Sequence, residues 1–352
     1  MTHEIAVIPG DGIGREVVPA AIEVVEAAAR RFEVELRWTE FDWSCERYTQ
    51  TGELMPADGV ERMKAFEAIF LGAVGFPGVP DHVSLWSLLI PLRRGLDQYV
   101  NLRPVKLWPG VTSPLRDRGP EDIDLVVVRE NVEGEYSEIG GRLYTGQEGE
   151  LAVQESVFTR RGVDRIMTFA FELAPTRRRH VTSATKSNGI IHTMPYWDER
   201  FAAIAARYAD VATAQYHIDI LTAHFVQHPD WFDVVVASNL FGDILSDLGP
   251  ACAGGIGLAA SANLNPERRY PSMFEPVHGS APDIAGRGVA NPIAQIWCGA
   301  MMLEHLGHHR AAAAITDAMG AVLAAGEVRT PDLGGRASTT EVAREVAAAV
   351  GG

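Results

Sequence analysis

Two aspartates four residues apart stand in an otherwise apolar stretch of the chain. The segment SNLFGDILSD, residues 238–247, carries Asp243 and Asp247 among leucine, isoleucine and phenylalanine. The run before it, FDVVVASN, predicts a buried strand, and Asn239 can cap a helix that begins just after it. On that helix both carboxylates share one face, where they repel each other unless a cation lies between them. From this segment alone, a helix dipole and a Mg²⁺ or Mn²⁺ site are both open explanations.

A third acid lies in an apolar run further upstream. Asp219 in HIDIL, together with Asp243 and Asp247, makes three carboxylates that could hold a divalent cation and leave positions for substrate and water. Tyr136 and Lys186 stand in the polar segments VVRENVEGEY and TSATKSNG and are candidates for proton transfer. Pairing with a neighbouring base explains Asp219 equally well, and ordinary surface packing explains Tyr136 or Lys186 taken singly.

Four arginines lie in polar, turn-like contexts: Arg93 and Arg94 in PLRRGLDQ, Arg103 in NLRPV, and Arg129 in VVRENVEGEY. Guanidinium groups bind carboxylates through paired hydrogen bonds, so a converging set suits a small polycarboxylate. A surface ion pair explains any single one of them. The sequence therefore predicts a polycarboxylate site only if several of these side chains converge.

Two glycine-containing segments are typical of turns and ligand-binding loops. IPGDGIGREV places Gly10, Gly12 and Gly14 between a strand and a helix, but the spacing is one residue short of the Rossmann fingerprint. A tight strand-to-helix turn is the simpler interpretation of these glycines. FEPVHGSAPDIAGRGVANP, residues 274–292, is rich in glycine and proline and has no helical period. An ordered loop of this length is uncommon unless it binds a ligand.

Strand and helix patterns alternate along most of the chain, which is typical of an α/β sheet with crossover connections. A first series runs from EIAVIPG to EAIFLGAVG, and a second runs from IDLVVVRENVEGEY to FDVVVASN. Residues 134–155 are Gly-rich and lack helical periodicity, which predicts an extended hairpin or arm. The last part of the sequence is Ala-rich and predicts helices.

The composition narrows the class of protein. A length of 352 residues suggests two domains at about 150 residues per domain. Because 31 Lys and Arg face 46 Asp and Glu, the net charge of −15 argues against a surface for nucleic acids or anionic membranes. Cys45, Cys252 and Cys298 are too widely spaced for a C-x-x-C pair or a disulfide framework, and no apolar run approaches a bilayer span. We expect a soluble, cytoplasmic protein that is not exported.

Taken in order, these segments resemble the β-decarboxylating dehydrogenases of the isocitrate and isopropylmalate dehydrogenase superfamily over essentially the whole chain. The shared motifs are IPGDGIG, NLRP, VVRENVEGEY, SATKSN, HIDIL, SNLFGDILSD and EPVHGSAPDIAGRGVANP. Within the family, the chain looks most like the tartrate and decarboxylating D-malate dehydrogenase branch. The segments that carry this finer likeness are DHVSLWSLLIPLRR, DQYVNLRPVKL, SVFTRRGVDRI and TMPYWDERF.

The resemblance implies a two-domain α/β fold that differs from the Rossmann fold. Residues 1–98 and 255–352 would form a discontinuous cofactor-binding domain, and residues 99–254 would form a substrate and dimerisation domain. The arm at 134–155 would exchange strands across the interface of a homodimer. The resemblance also implies that the two subunits share their active sites.

The same resemblance implies a role for each candidate in the substrate site. Arg93, Arg103 and Arg129 would grip the substrate carboxylates. Tyr136 and Lys186 would be the acid/base pair, with Lys186 reaching in from the other subunit. Lys186 would help to take the proton of the substrate hydroxyl, and Tyr136 would protonate the enolate that remains after CO₂ has left.

The resemblance also implies the metal ligands. Asp243 and Asp247 would bind Mg²⁺ or Mn²⁺ together with Asp219 of the partner subunit. K⁺ is a further candidate ion.

Cofactor choice depends on Asp283, which is placed where the family contacts the adenosine ribose. Its carboxylate would accept the ribose 2′-hydroxyl and repel a 2′-phosphate, so the resemblance implies NAD. Other residues of the same loop would complete the cofactor contacts: Glu275, His278, Gly279, Ser280, Ala281, Ile284 and Asn291. The chain departs from its relatives at Gly255 and Ala260, which adds backbone freedom near the nicotinamide.

Substrate choice depends on Trp86 in SLWSLLIPLRR, where isopropylmalate enzymes carry glutamate. With Leu89 and Ile90, this ring is expected to fill the pocket for the C3 substituent, which favours hydrogen or hydroxyl there. We therefore expect oxidation of D-malate to pyruvate and CO₂, with tartrate also oxidised. The alternative for Trp86 is that it only packs under the loop. The alternatives for the function are a 3-isopropylmalate dehydrogenase and a non-catalytic regulatory homologue. Retention of Tyr136 and Lys186 disfavours the last of these.

Overall fold

Strands and helices alternate as the sequence predicts, and the α/β fold class is confirmed. The computed structural model describes residues 2–351, in which ten strands form one sheet and two more form a separate hairpin. The strands are β1 (Thr2–Gly10), β2 (Glu35–Glu40), β3 (Ala68–Ala73), β4 (Val100–Lys106), β5 (Asp124–Glu130), β6 (Gly140–Leu143), β7 (Leu151–Gln154), β8 (His180–Thr185), β9 (Ala212–His217), β10 (Val234–Ala237), β11 (Ala260–Leu264) and β12 (Ser272–Pro276).

Two parallel blocks of strands flank an antiparallel centre in the large sheet. The strand order is β2-β1-β3-β12-β11-β4-β5-β10-β8-β9. Strands β2, β1, β3 and β12 run parallel to one another, and so do β5, β10, β8 and β9. Strands β11 and β4 pair antiparallel with each other and with the block beside each of them. The predicted boundary between the two domains falls at this β11–β4 pair and stays a prediction.

Helices cover the sheet, and strands β3 and β10 are buried along their whole length, as expected for strands covered on both faces. Helices α1 (Gly14–Arg31), α10 (Ile293–His305), α11 (His309–Ala325) and α12 (Thr339–Gly351) pack on one another. Within residues 2–351, no helix is both long enough and apolar enough to cross a membrane. The helices are α1 (Gly14–Arg31), α2 (Cys45–Thr51), α3 (Gly59–Met63), α4 (Asp81–Ser84), α5 (Ile90–Gly95), α6 (Arg160–Leu173), α7 (Thr193–Ala205), α8 (Ile218–Gln227), α9 (Asn239–Cys252), α10 (Ile293–His305), α11 (His309–Ala325) and α12 (Thr339–Gly351).

The start of α9 differs by one residue from the capping prediction. Ser238 is the N-cap, and its hydroxyl accepts a hydrogen bond from the amide of Phe241 at 3.5 Å. Asn239, which we predicted as the cap, lies in the first turn, where its side-chain oxygen accepts a hydrogen bond from Arg129. The prediction was wrong because serine and asparagine cap equally well, and a buried arginine binds the asparagine instead.

The predicted arm contains an antiparallel hairpin. Strands β6 and β7 pair Leu143 with Leu151 and Gly141 with Val153, and both strands are exposed throughout. Residues directly opposite each other, or two apart on one strand, lie on the same face. Leu143, Leu151 and Val153 therefore form an exposed apolar face, which is typical of a surface that packs against another chain. Strand exchange with a second subunit stays a prediction.

Candidate active site

Arg129 lies near the end of β5, against the first turns of α9, and is only 2% exposed. Its Nε donates to the backbone carbonyl of Asn239 at 2.8 Å, and its Nη2 donates to the side-chain oxygen of the same residue at 2.8 Å. Its Nη1 donates to Oδ1 of Asp243 at 2.6 Å. Gly242 permits this approach, because a Cβ there would lie 2.5 Å from Cγ of Arg129. The guanidinium is therefore held in one orientation by hydrogen bonds from all three of its nitrogens.

Arg103, on the neighbouring strand β4, reaches the same helix. Its Nη1 donates to Oγ of Ser246 at 2.7 Å and to Oδ1 of Asp243 at 3.4 Å. The same nitrogen lies 3.7 Å from Oδ1 of Asp247. Two of the predicted arginines thus converge on the two aspartates of α9.

Tyr136 contacts the same carboxylate from the loop that follows β5. Its hydroxyl donates to Oδ2 of Asp243 at 2.8 Å. Burial raises the pKa of Tyr136, and the negative charge and hydrogen bond of Asp243 raise it further. A phenol with a raised pKa stays protonated at neutral pH, as a proton donor must. Asp243 is therefore the common partner of Arg103, Arg129 and Tyr136.

The two aspartates of α9 differ in their electrostatic surroundings. Burial acts to raise the pKa of Asp243, but the charges of Arg129 and Arg103 and the hydrogen bond from Tyr136 outweigh it and hold that pKa below its usual value. Asp247 is more open, with 62% of its side chain exposed. Burial of the remainder and the nearby charge of Asp243 raise the pKa of Asp247.

The donor set on this face of α9 fits a divalent cation. Carboxylate oxygens are hard ligands, and Asp247 lies 3.7 Å from Arg103, too far for a strong hydrogen bond, so its oxygens are available. Two carboxylates leave several coordination positions for substrate and water. Within residues 2–351, no group of three or more His, Cys, Asp or Glu side chains is close enough to hold a metal. One folded chain therefore supplies two of the three predicted metal ligands at this place.

Arg93, on α5, connects this region to the predicted cofactor loop. Its Nη2 donates to Oε1 of Glu275 at 2.7 Å. The same oxygen accepts a hydrogen bond from Nδ2 of Asn263 at 2.7 Å. Because Glu275 lies on β12 just before the loop, its contact with Arg93 ties the predicted substrate arginines to the predicted cofactor segment.

Lys186 and Asp219 form a separate pair. Nζ of Lys186 lies 3.0 Å from Oδ1 of Asp219, and the two side chains are 29% and 67% exposed. The hydrogen bond from Lys186 lowers the pKa of Asp219. The two residues follow β8 and β9, at the outer edge of the sheet. Among the described residues, Lys186 forms no ion pair with Asp243 or Asp247, and Asp219 does not form a metal-binding cluster with them.

The turn-rich segment after β12 packs against the first glycine loop. The amide of Ile13 donates to the carbonyl of Ser280 at 2.9 Å. Gly12 has a φ of +52°, and a Cβ there would lie 2.1 Å from the same carbonyl oxygen, so only glycine fits. Nδ1 of His278 lies 3.0 Å from the carbonyl oxygen of Gly279, while Nε2 of His278 is buried with no partner within residues 2–351. A buried ring nitrogen without a partner fits a site that receives a ligand.

The remaining loop residues differ in exposure. Ala281 and Ile284 are partly buried and pack against a small apolar cluster at the start of α1. Asn291 is buried, and its Nδ2 donates to Oδ2 of Asp332 at 2.9 Å. Asp283 is exposed at the surface of the loop. Its carboxylate is therefore accessible to a ligand.

Trp86 lies in a π-helical turn, Leu85–Leu89, which joins α4 to α5. Its half-buried ring packs against Arg94, whose Cζ lies 5.3 Å from the ring centre. Leu89 is partly buried against an apolar core cluster, and Ile90 is buried. The structure thus places Trp86 beside an arginine, and of its two predicted companions in the pocket wall only Ile90 is buried.

Several residues that organise the site were not identified from the sequence. Glu135 accepts hydrogen bonds from the hydroxyl of Ser238 at 2.7 Å and from the amide of Leu240 at 3.0 Å, so it binds the N-terminus of α9. Ser246 holds Arg103, and Asp332 holds the predicted cofactor residue Asn291. For these three residues, the one signal in the sequence that could have pointed to a role is that Glu135 directly precedes the candidate Tyr136.

Comparison with known proteins yields a family and close relatives. Residues 4–346 match the family model described as isocitrate/isopropylmalate dehydrogenase. D-malate dehydrogenase (decarboxylating) from Escherichia coli strain K12 is 59% identical over 350 residues, which cover 97% of each chain. Tartrate dehydrogenase/decarboxylase from Pseudomonas putida is 58% identical over 350 residues, which cover 97% of this chain and 96% of that protein.

A solved structure has the same fold. Isocitrate dehydrogenase from Methylococcus capsulatus superposes with a TM-score of 0.89 at 36% identity, and the match covers 99% of this chain and all (100%) of that chain.

Proposed function

Because the chain belongs to the isocitrate/isopropylmalate dehydrogenase family and is a decarboxylating dehydrogenase of hydroxy acids, we propose that its substrate is D-malate. The products would be pyruvate and CO₂, with NAD as the oxidant and Mg²⁺ or Mn²⁺ as the metal. Tartrate would be oxidised at the same site. The observation that carries this proposal is the convergence of Arg103, Arg129 and the Tyr136 hydroxyl on Asp243.

Two arginines support binding of a dicarboxylate. Within residues 2–351, Arg103 forms hydrogen bonds only through Nη1, and Arg93 only through Nη2. The other terminal nitrogen of each guanidinium is therefore free to donate to a substrate carboxylate. Each of the three guanidinium nitrogens of Arg129 already donates one hydrogen bond to Asn239 or Asp243, so its main contribution is positive charge beside the bound anion.

The proton transfers are assigned to Lys186 and Tyr136. Lys186 takes the proton of the C2 hydroxyl, and Tyr136 gives a proton to C3 after CO₂ has left. Asp243 orients the Tyr136 hydroxyl through the hydrogen bond that the phenol donates to it. When bound by Asp243 and Asp247, a divalent cation would lower the pKa of the substrate hydroxyl and withdraw electrons from C2. Bound NAD would accept the hydride from C2.

A homodimer with shared sites is part of the proposal. Within residues 2–351 of one chain, Asp219 forms no metal-binding cluster with the α9 aspartates and Lys186 forms no ion pair with them, so a second subunit would bring the two parts together. Apolar side chains next to both parts support this arrangement, because Ile220 and Ile244 are 44% and 45% exposed. The exposed apolar face of the arm adds to the surface that a partner would cover.

Preference for NAD rests on Asp283. Its exposed carboxylate forms no hydrogen bond or ion pair within residues 2–351, so it is free to accept the ribose 2′-hydroxyl. The 2′-phosphate of NADP would meet this negative charge. We expect Asp283→Arg to reduce the preference for NAD over NADP.

One assay panel tests the substrate, metal and cofactor together. NADH formation is measured with D-malate, L-tartrate, isocitrate and 3-isopropylmalate, each with Mn²⁺ and K⁺, and each repeated with NADP. D-malate with NAD is expected to give the highest kcat/KM. A clear preference for 3-isopropylmalate or isocitrate would contradict the substrate proposal and the role of Trp86.

The metal ligands are tested by Asp247→Asn. Removing one negative oxygen should weaken Mn²⁺ binding and activity together, as followed by a Mn²⁺ titration of NADH formation. Asp317→Asn, at an exposed aspartate of α11, is the matched control. Equal metal dependence in the two variants would show that Asp247 does not bind the metal.

A further inference from the structure

Arg94 follows Arg93 on α5 but points to a different part of the molecule. Arg93 binds Glu275 beside the cofactor segment, whereas Arg94 binds the loop that carries Tyr136. Nη2 of Arg94 donates to the backbone carbonyl of Tyr136 at 2.5 Å, and Nε donates to the carbonyl of Val132 at 3.2 Å. The guanidinium thus holds two carbonyls four residues apart in one loop.

The loop that carries Tyr136 is held from its other end by Glu130. The amides of Val132 and Glu133 donate to the Glu130 carboxylate at 3.0 and 2.8 Å. Between these contacts and Tyr136 lies Gly134, whose φ of +96° marks a sharp turn. Beyond this turn, Glu135 binds the N-terminus of α9 and Arg94 binds the backbone carbonyl of Tyr136 itself.

The Arg94 guanidinium also contacts Trp86. Its Cζ lies 5.3 Å from the centre of the ring, within the range of a cation–π contact. Trp86 is only half-buried and lies in a π-helical turn, an irregularity that is frequent at functional sites. One guanidinium is thus in contact with the predicted pocket wall and with the backbone of the predicted general acid.

We propose that Arg94 is a positioning and specificity-determining residue that couples the pocket wall at Trp86 to the placement of Tyr136. This inference rests on the proposed function, in which Trp86 faces C3 of the substrate and Tyr136 protonates that carbon. A small C3 substituent leaves the Trp86–Arg94 contact in place. A large substituent displaces the ring and Arg94 with it, and the loop then withdraws the Tyr136 hydroxyl from C3. Large substrates are consequently rejected in kcat as well as in KM.

The test isolates the proton transfer at C3. In the reverse of that step, the enzyme removes a methyl proton of pyruvate and returns a deuteron from D₂O, so deuterium uptake by pyruvate, followed by mass spectrometry with Mg²⁺ and NADH present, reports the placement of Tyr136. Arg94→Met keeps the apolar stem and removes the donors and the charge. We expect roughly ten- to hundredfold slower exchange and lower kcat for D-malate, because displacement of a catalytic group by about 1 Å costs this much. KM for D-malate should change little, because Arg93, Arg103 and Arg129 are intact.

Three further variants make the result decisive. Arg62→Met, at an exposed arginine paired with Asp58, is the matched control and should match the wild type. Tyr136→Phe should abolish exchange. Arg94→Lys keeps the charge and one donor, and should recover part of the lost exchange. If Arg94→Met proves less thermally stable than the wild type, Arg94→Lys becomes the deciding variant. Exchange slower than in the wild type at an unchanged melting temperature would then support the proposal.

The specificity part of the proposal has its own readout. In the wild type, 3-isopropylmalate should fall behind D-malate in kcat as well as in KM. In Arg94→Met the kcat difference between these two substrates should shrink about tenfold, since the wall no longer acts on Tyr136. Exchange and kcat of both Arg94 variants equal to those of Arg62→Met, with exchange lost in Tyr136→Phe, would overturn the role of Arg94 alone. A wild type that makes no NADH from D-malate would overturn the proposed function and this inference with it.

Discussion

The cluster around Asp243 and the Lys186–Asp219 pair are two parts of the proposed active site that are built in different ways. In the cluster, Arg103, Arg129 and Tyr136 all contact one carboxylate, and Arg129 is only 2% exposed. In the pair, the aspartate is 67% exposed and its ion-pair partner is a flexible lysine. The first part is enclosed by strands β4 and β5 and helix α9, whereas the second lies at the sheet edge.

This difference shows which part of the site a single chain completes by folding. A buried guanidinium is costly unless a carboxylate neutralises it, so Arg129 and Asp243 must come together when the chain folds. Because an exposed ion pair contributes little to stability, Lys186 and Asp219 can separate at little cost and bind other partners. In the proposed homodimer, the enclosed part would be ready before assembly, and the exposed part would become functional only at the interface.

The largest effect is expected for Asp243→Ala. Removal of this carboxylate leaves Arg129 buried without its counter-charge, which should lower the free energy of unfolding by about 2–4 kcal/mol, less than for a fully buried pair because Asp243 is partly exposed. Activity should also be lost. Urea denaturation followed by circular dichroism measures the stability, with Asp219→Ala as the matched control. Equal stability of the two variants would remove the distinction between the enclosed and the exposed part.

Asp219→Asn should separate activity from stability. Because the Asp219 side chain is largely exposed, the melting temperature of the variant should match that of the wild type. NADH formation from D-malate should nevertheless fall by roughly a hundredfold, since a proposed metal ligand has lost its charge. Activity close to that of the wild type at every Mn²⁺ concentration would argue against any role of Asp219 in the metal site.

Glu130, the last residue of β5, should make the free energy of unfolding depend on pH. Burial is the main reason why the pKa of Glu130 is raised to about 8 from an ordinary value of 4.5. The folded chain therefore binds one more proton than the unfolded chain between these values, and the free energy of unfolding falls as the pH rises through this window. Glu130→Gln should remove this slope, which is at most about 1.4 kcal/mol per pH unit. Denaturation at pH 5 and pH 9 checks it, and an unchanged slope in the variant would rule out Glu130 as the source.

The smallest effect is expected when a methyl group is added to a glycine in each part. A Cβ at Gly242 would lie 2.5 Å from Cγ of Arg129, whereas a Cβ at Gly189, near Lys186, would have its nearest neighbour at 3.9 Å. Gly242→Ala should lower the free energy of unfolding by about 1–3 kcal/mol through overpacking, and Gly189→Ala should leave it unchanged. Thermal denaturation of both variants gives the comparison. An unchanged free energy of unfolding in Gly242→Ala would mean that Arg129 can move, and would contradict its rigid packing against α9.

Elements with a strong local signal were predictable from the sequence. The β-branched run before α9 is strand β10, the Gly-rich stretch contains the hairpin β6–β7, and the alternation of patterns gave the α/β class correctly. These predictions succeed because a short apolar run, a glycine-rich turn and the alternation of strand and helix patterns each depend on residues close together in the sequence. The cap of α9 was missed by one residue because its choice depends on Arg129, which is distant in sequence and close in space.

The sequence named the candidate site residues, and the structure brings only some of them together. This division into two parts was not visible in the sequence. Motifs place acids and arginines near strand ends, yet they do not show that Asp243 collects three partners while Asp219 binds Lys186. The neighbouring residues Arg93 and Arg94 illustrate the limit. Their types and positions are alike, and only the packing of α5 directs one to Glu275 and the other to the Tyr136 loop.

The most direct test of a shared site is complementation between two inactive variants. Asp243→Asn and Asp219→Asn are purified separately, mixed in equal amounts, dissociated in mild denaturant and reassociated. In a mixed dimer, one site carries both substitutions and the other carries neither. Random reassociation makes half of the dimers mixed, and each mixed dimer has one intact site of two. A shared site therefore predicts recovery of about a quarter of the wild-type activity. No recovery above the two separate variants, with mixed dimers demonstrated by mass spectrometry, would contradict a site built from both subunits.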